Sequence, residues 1–145
     1  MKKTAVIFAW LWQSPQHVLA LAIWAFLKAM GRIEHHRRNA NPPGDTVYIV
    51  KRSGWGVSLG RYIFIGDACR AAENIRHERG HSFQSLAMGP LYLALVGLPS
   101  AIGNNVWDRL MHKEWPDEKR MKWYYSRYPE AGADRLGGVL RPWSV

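Results

Sequence analysis

His77-Glu78-Arg79-Gly80-His81 is the stretch on which the reading of this chain turns. It lies within a run from Ala68 to about Met88 that predicts a helix, with Asp67 as N-cap and Gly89-Pro90 as stop. Two histidines at i and i+4 share one helix face, so their ring nitrogens can reach a single metal ion. The glutamate after the first histidine projects beside that ion, placed to take a proton from a bound water. The bland alternative is a solvated helical face carrying Arg76, Glu78 and Arg79.

HExxH provides two protein ligands, whereas a catalytic zinc takes three and keeps a fourth position open. Downstream, Glu130-Ala131-Gly132-Ala133-Asp134 offers two carboxylates on a short helical turn predicted to begin at Pro129. Glu130 can complete the metal shell, and Asp134 can accept a hydrogen bond from a ligand histidine and fix its ring. Alone, this acidic spacing carries little weight; after HExxH it supports a site for one zinc ion (Zn2+). Two histidines and a carboxylate also suit other divalent metals.

HERGH followed by EAGADRLGG resembles the gluzincin (HExxH…ExxxD) zinc metallopeptidases. Within them it is most similar to the membrane-bound CAAX-processing and stress-linked types and to the minigluzincins. HERGHSFQS, GPLYLALVGLPS and ADRLGG also resemble a group of small bacterial proteins with HExGHxxQS and GPLYL…GLPS, a likeness that covers most of the chain. The gluzincin resemblance implies that His77, His81 and Glu130 hold zinc, that Glu78 is the general base, and that Asp134 supports a ligand from behind. It further implies a strand edge beside the active-site helix, where an extended peptide adds as another strand; Gly60–Ile65 is the candidate. The chain departs from the family in two respects: Pro129 and Gly137-Gly138 confine the Glu130 helix to about two turns, and no oxyanion-stabilising residue stands out. Tyr124, Tyr125, Arg127 and His112 are all candidates for that role.

Upstream of the motif, Thr46–Lys51 and Gly56–Ile65 are β-rich runs separated by Ser53-Gly54-Trp55, which predicts a hairpin. The expected fold is therefore α+β, a zincin-like β-hairpin plus active-site helix, with N-terminal apolar membrane-associated helices. Residues 1–38 form the apolar segment with its basic flank, and residues 39–145 a single zincin-like domain. A linker over 39–45, the hairpin at about 46–65 and the helix at 68–88 come first. A buried or re-entrant apolar stretch at 89–103 follows, then a helix around 117–128 and the acidic turn.

Length and composition agree with one domain: 145 residues, with eight Trp, six Tyr and four Phe to bury. A single cysteine, Cys69, excludes a disulfide framework and a Cys-rich zinc ribbon. Near a helix start it reads as structural, with no base beside it in sequence. A net charge of +9 admits nucleic acid, anionic lipid or an acidic partner. Trp10, Trp12 and Trp24 stand in the uncharged stretch Thr4–Leu27, which favours an anionic lipid surface over nucleic acid. No nucleic-acid motif is present.

That stretch is broken at Gln13–His17, and its apolar residues continue past any plausible signal cleavage point. Two short helices in one leaflet and one interrupted span both remain open. Lys28, Arg32, Arg37 and Arg38 suit headgroups on the cytoplasmic side. Leu91–Ile102, as a helix, spans only ~18 Å, short of the ~30 Å hydrocarbon core. It therefore folds back or stays within the protein, which keeps Glu130 on the same side as His77 and His81. His35-His36 reads as a solvated segment and His17 as a hydrogen-bonded core or interface histidine, while Gln84 and Ser85 line the site or cap the following bend.

The expected function is a membrane-associated zinc-dependent peptidase at a bacterial cytoplasmic membrane, its site facing the cytoplasm. Its substrates would be peptides or membrane-protein segments near the bilayer. The rival is a non-catalytic, basic, membrane-bound interaction protein with a structural metal site or none. Glu78 separates them, because a purely structural site needs no carboxylate beside its ligands.

Overall fold

The computed structural model describes residues 3–39 and 44–143. Most of the expected linker, at 40–43, lies outside them. The elements are α1 (Lys3–Trp12), α2 (Ser14–Ala29), β1 (Ile33–Arg38), β2 (Thr46–Val50), β3 (Gly56–Leu59), β4 (Tyr62–Gly66) and α3 (Ala72–Met88). Wide π-type turns over Leu93–Gly97 and Ser100–Trp107 then lead into α4 (Asp108–Met111), α5 (Asp117–Tyr125) and α6 (Glu130–Gly137). The fold is α+β, with a four-stranded mixed sheet and six α-helices among the described residues.

The strand order is β1-β2-β4-β3, with β2 parallel to β4 and the other pairs antiparallel. This corrects the predicted hairpin over 46–65. The hairpin joins β3 to β4 instead, around Gly60-Arg61, where Gly60 takes a φ of +64° that the tight turn requires. Strand β4 then inserts between β3 and β2. The reason is burial on both faces: Val47, Ile49, Ile63 and Ile65 pack towards Ile75 of α3. Val50, Leu59 and Phe64 pack against Ala20 and Leu27 of α2. A strand covered on both sides reads as the unbroken apolar run YIFIG and takes a central place.

One further expectation changes with this topology. Gly60–Ile65 is a turn and an interior strand, so the edge that flanks α3 is Gly56–Leu59 instead. The EHHRR segment is solvated, its His35–Arg38 side chains exposed, and its backbone pairs with β2 as an edge strand.

Helix α3 begins at Ala72, not at Ala68. Asp67 does not cap it. Its carboxylate accepts the backbone N–H groups of Ser53 (3.0 Å) and Arg52 (2.9 Å), pinning the crossing loop, and these bonds hold it below the ordinary carboxylate range. At its other end α3 is capped from a distance. Trp12 Nε1 donates to Leu86 O (3.0 Å), Gln13 Nε2 to Ser85 Oγ (3.0 Å) and Gln16 Nε2 to Gly89 O (2.5 Å). Trp12 and Gln16 thus satisfy carbonyls that a helix end leaves unpaired, and Gln13 ties in the Ser85 hydroxyl.

Among the described residues no helix is long and apolar enough to cross a membrane. In the 89–103 stretch Tyr92 and Val96 are buried, while Leu91, Leu95, Leu98 and Ile102 face outward. It is thus not a wholly buried segment.

His17 is a core residue, as expected. Its Nδ1 lies 3.2 Å from Trp10 O, and its Nε2 accepts the Arg61 N–H at 3.4 Å. Burial is the main cause of a pKa below the ordinary 6.5. The folded state therefore resists the proton that the unfolded state takes up. The stability His17 contributes is full above pH 6.5 and is lost as pH falls from there through its folded value. Melting wild type and His17→Gln side by side should show the gap between their Tm values shrinking below that pH. An unchanged gap would refute this account.

Candidate metal centre

Helix α3 carries His77, Glu78 and His81, and α6 carries Glu130 and Asp134. The two helices touch through their backbones. A Cβ on Gly80 would collide with the Ala133 carbonyl, and one on Gly137 with the Arg76 carbonyl. Only this approach lets two short acidic side chains reach across to both histidines.

His77 Nε2 and His81 Nε2 lie 3.0 and 3.1 Å from Oε2 of Glu130. All three residues are buried, Glu130 completely. The second nitrogen of each ring is held from behind. His77 Nδ1 lies 2.7 Å from Asp134 Oδ1, and His81 Nδ1 lies 2.8 Å from Gln84 Oε1. Gln84 Nε2 donates to Pro129 O at 3.0 Å, which turns its amide oxygen towards His81. Arg141 grips Asp134 with two hydrogen bonds, of 2.9 and 3.0 Å, reaches Glu73 at 2.8 Å and lies over the Tyr125 ring. Ser100 Oγ donates to the other Glu130 oxygen at 2.6 Å.

These supports settle what the facing atoms offer. With their Nδ1 protons committed to Asp134 and Gln84, neutral rings aim two Nε2 lone pairs at a carboxylate oxygen. Electron-rich atoms so placed need positive charge among them, from protons or from a cation. Burial is the largest influence on His77 and Glu130 and opposes charge on each. For His77, hydrogen bonds to Asp134 and Glu130 outweigh burial and lift its pKa to about 9. For Glu130, hydrogen bonds from His77 and His81 hold it well below the usual carboxylate range.

His77, His81 and Glu130 could hold a metal ion, their ligand atoms all lying within 4.8 Å of one another. Two imidazole nitrogens and a carboxylate oxygen suit zinc among several divalent metals, and the spacings from Glu130 to each histidine, 3.0 and 3.1 Å, are near the ~3.3–3.4 Å edges that ~2.0–2.1 Å tetrahedral bonds give. No family model, curated protein or solved structure matches this chain. The resemblance to gluzincins rests on its quoted residues.

Glu78 is not part of the triad. It is buried, makes no hydrogen bond to another described residue and packs against Gly56 of β3, where a side chain would displace its carboxylate. Burial raises its pKa, offset in part by His81 and His77. It borders a cavity of about 320 Å³ lined also by the β3 edge, Tyr92, Ser100, Arg109 and Tyr124.

Of the four oxyanion candidates, the fold brings Tyr124 and Tyr125 to this cavity. Burial keeps the Tyr124 phenol protonated far above its usual range, so it is a donor. Arg127 lies over Trp123 along another groove, and His112 bonds Asp108 at 3.0 Å and stacks on Trp115. Arg109 and Arg141 escaped the sequence reading, and no motif spacing marks them; Tyr92 and Ser100 lie within the quoted GPLYLALVGLPS string, which gave them no role. Gln84 carried a signal, three residues after His81 on the same helix.

Proposed function

We propose that the chain is a zinc-dependent peptidase working beside a bilayer on peptides or membrane-protein segments. The observation that carries this reading is Glu78, a buried carboxylate that is spared from the triad yet faces its cavity. Zinc, when bound by His77, His81 and Glu130, acidifies a water and polarises a carbonyl. Glu78 accepts the proton, a task suited to a carboxyl whose pKa is raised by burial, and passes it to the leaving amine. Tyr124 donates to the oxygen on which charge develops. The free edge of Gly56–Leu59 aligns an extended substrate by backbone hydrogen bonds. Asp134 and Gln84 keep both imidazoles in register.

Membrane attachment is supported by the exposed apolar side chains of Phe8, Leu11, Val18 and Leu21 and by the chain's net charge of +9. On this reading the site faces the cytoplasm at a bacterial inner membrane, a placement that rests on the basic cluster Lys28, Arg32, Arg37 and Arg38 beside the apolar helices. The rival, a non-catalytic membrane-bound interaction protein with a structural metal, requires nothing of Glu78.

Metal content of the detergent-purified protein tests the foundation. The wild type should hold about one zinc per chain, Glu130→Ala should hold it more weakly, and His77→Ala/His81→Ala should hold none. A wild type that stays metal-free after loading with zinc would sink the peptidase reading.

A further inference from the structure

Two cavities adjoin on the sheet face covered by α2, opposite α3. One, of about 310 Å³, is polar and is lined by Arg38, Arg61, His36, Thr46 and Trp10. The other, of about 220 Å³, is apolar and is lined by Ala20, Leu21 and Trp24. Tyr48 and Tyr62, stacked 6.4 Å apart, form a wall common to both. The pair thus makes one amphipathic trough with a cationic head and an apolar tail.

The charge at the head is uncompensated. Among the described residues no carboxylate lines either cavity. Asp45, near in sequence, is fully buried and bonded to Arg79 at 3.0 Å. Neither Arg38 nor Arg61 has an ion-pair partner among the described residues. Arg61 Nε donates to Gly44 O at 2.8 Å, which fixes the guanidinium and leaves its other nitrogens available. Two arginines, a histidine and a threonine hydroxyl form the donor set that grips phosphate oxygens. At the tail, Leu21 is 62% exposed and Lys28 lies 4.6 Å over the Trp24 ring, an apolar floor under a second cationic rim.

We propose that this trough binds one anionic phospholipid, its phosphate between Arg38 and Arg61 and its first acyl segment along Ala20, Leu21 and Trp24. The site uses none of the metal centre's residues and stands whether or not the peptidase reading does.

The test titrates phosphatidylglycerol into the full chain in maltoside micelles and counts bound lipid by native mass spectrometry. One retained phosphatidylglycerol is expected, with phosphatidylcholine held roughly tenfold more weakly, and Arg38→Gln/Arg61→Gln should cost about tenfold in affinity. Lys113→Gln/Lys119→Gln removes the same charge elsewhere and should leave binding unchanged. Leu21→Asn should weaken phosphatidylglycerol but not free glycerol phosphate. Arg38→Gln alone, on an exposed edge strand, guards against misfolding of the double variant and should give part of its effect.

Equal losses in the two double variants would reduce the effect to diffuse electrostatics and overturn the site. Displacement of the lipid by inorganic phosphate at equal concentration would also overturn it, leaving a simple anion pocket. Zinc content should be the same in all these variants, so failure here is separable from failure at the metal centre.

Discussion

Glu78→Gln is expected to retain about one zinc per chain while peptide turnover falls by roughly 10²–10⁴-fold, the usual contribution of a positioned general base. The amide is nearly isosteric with the carboxylate, so it still packs against Gly56 and leaves His77, His81 and Glu130 in place. What it lacks is the ability to accept a proton. The decisive comparison pairs metal analysis with cleavage products, by proteomics of membranes from cells expressing wild type or Glu78→Gln. Loss of products with zinc retained supports catalysis by Glu78. Identical products from both proteins would hand the chain to the interaction-protein reading.

Gly80→Ala should do the reverse and destroy the site by displacing one of its halves. The added methyl meets the backbone carbonyl of Ala133, which cannot rotate away as a side chain would. Overpacking costs roughly 1–3 kcal/mol even where side chains can yield, and here α6 itself must move. Glu130 and Asp134 ride on α6, so the same shift pulls the third ligand from both histidines and Asp134 from His77. The expected outcome is a Tm lower by on the order of 5–10 °C together with much weaker zinc binding. Gly103→Ala, where no atom lies within 4 Å of the new methyl, is the control. Zinc binding as tight in Gly80→Ala as in wild type would show that α6 has slack the crossing does not display.

The meeting of His77, His81 and Glu130 at a candidate metal centre was legible in the sequence because each half of it is local. His77 and His81 share one helix, Glu130 and Asp134 another, and i, i+4 spacing fixes the face each presents. What lay out of reach was non-local. TVYIVK and GVSLGRYIFI read correctly as β-rich, but the second run splits at Gly60-Arg61 into two strands, and the strand order depends on α2 and α3 covering opposite faces. Asp67 has the chemistry of an N-cap, yet loop N–H groups 14 and 15 residues upstream claim its carboxylate. Arg141 meets Asp134 because Gly138 turns the chain back with a φ of +67°, and nothing in the spacing predicts that the arginine lands there. Gly80 is unspecified in HExxH and named in HExGHxxQS, and neither pattern tells that it is where the two helices meet.

The hydrogen bonds from Trp12, Gln13 and Gln16 to the end of α3 reach further than helix capping. They grip the helix at Ser85, Leu86 and Gly89, beginning one turn, ~6 Å, beyond His81. An enzyme on a flexible tether samples many heights above a bilayer; one clamped this close to its metal has a single height. With α1 and α2 seated in lipid as proposed, the protein would act as a depth gauge. It would select bonds by how far they stand from the membrane surface more than by the side chains around them.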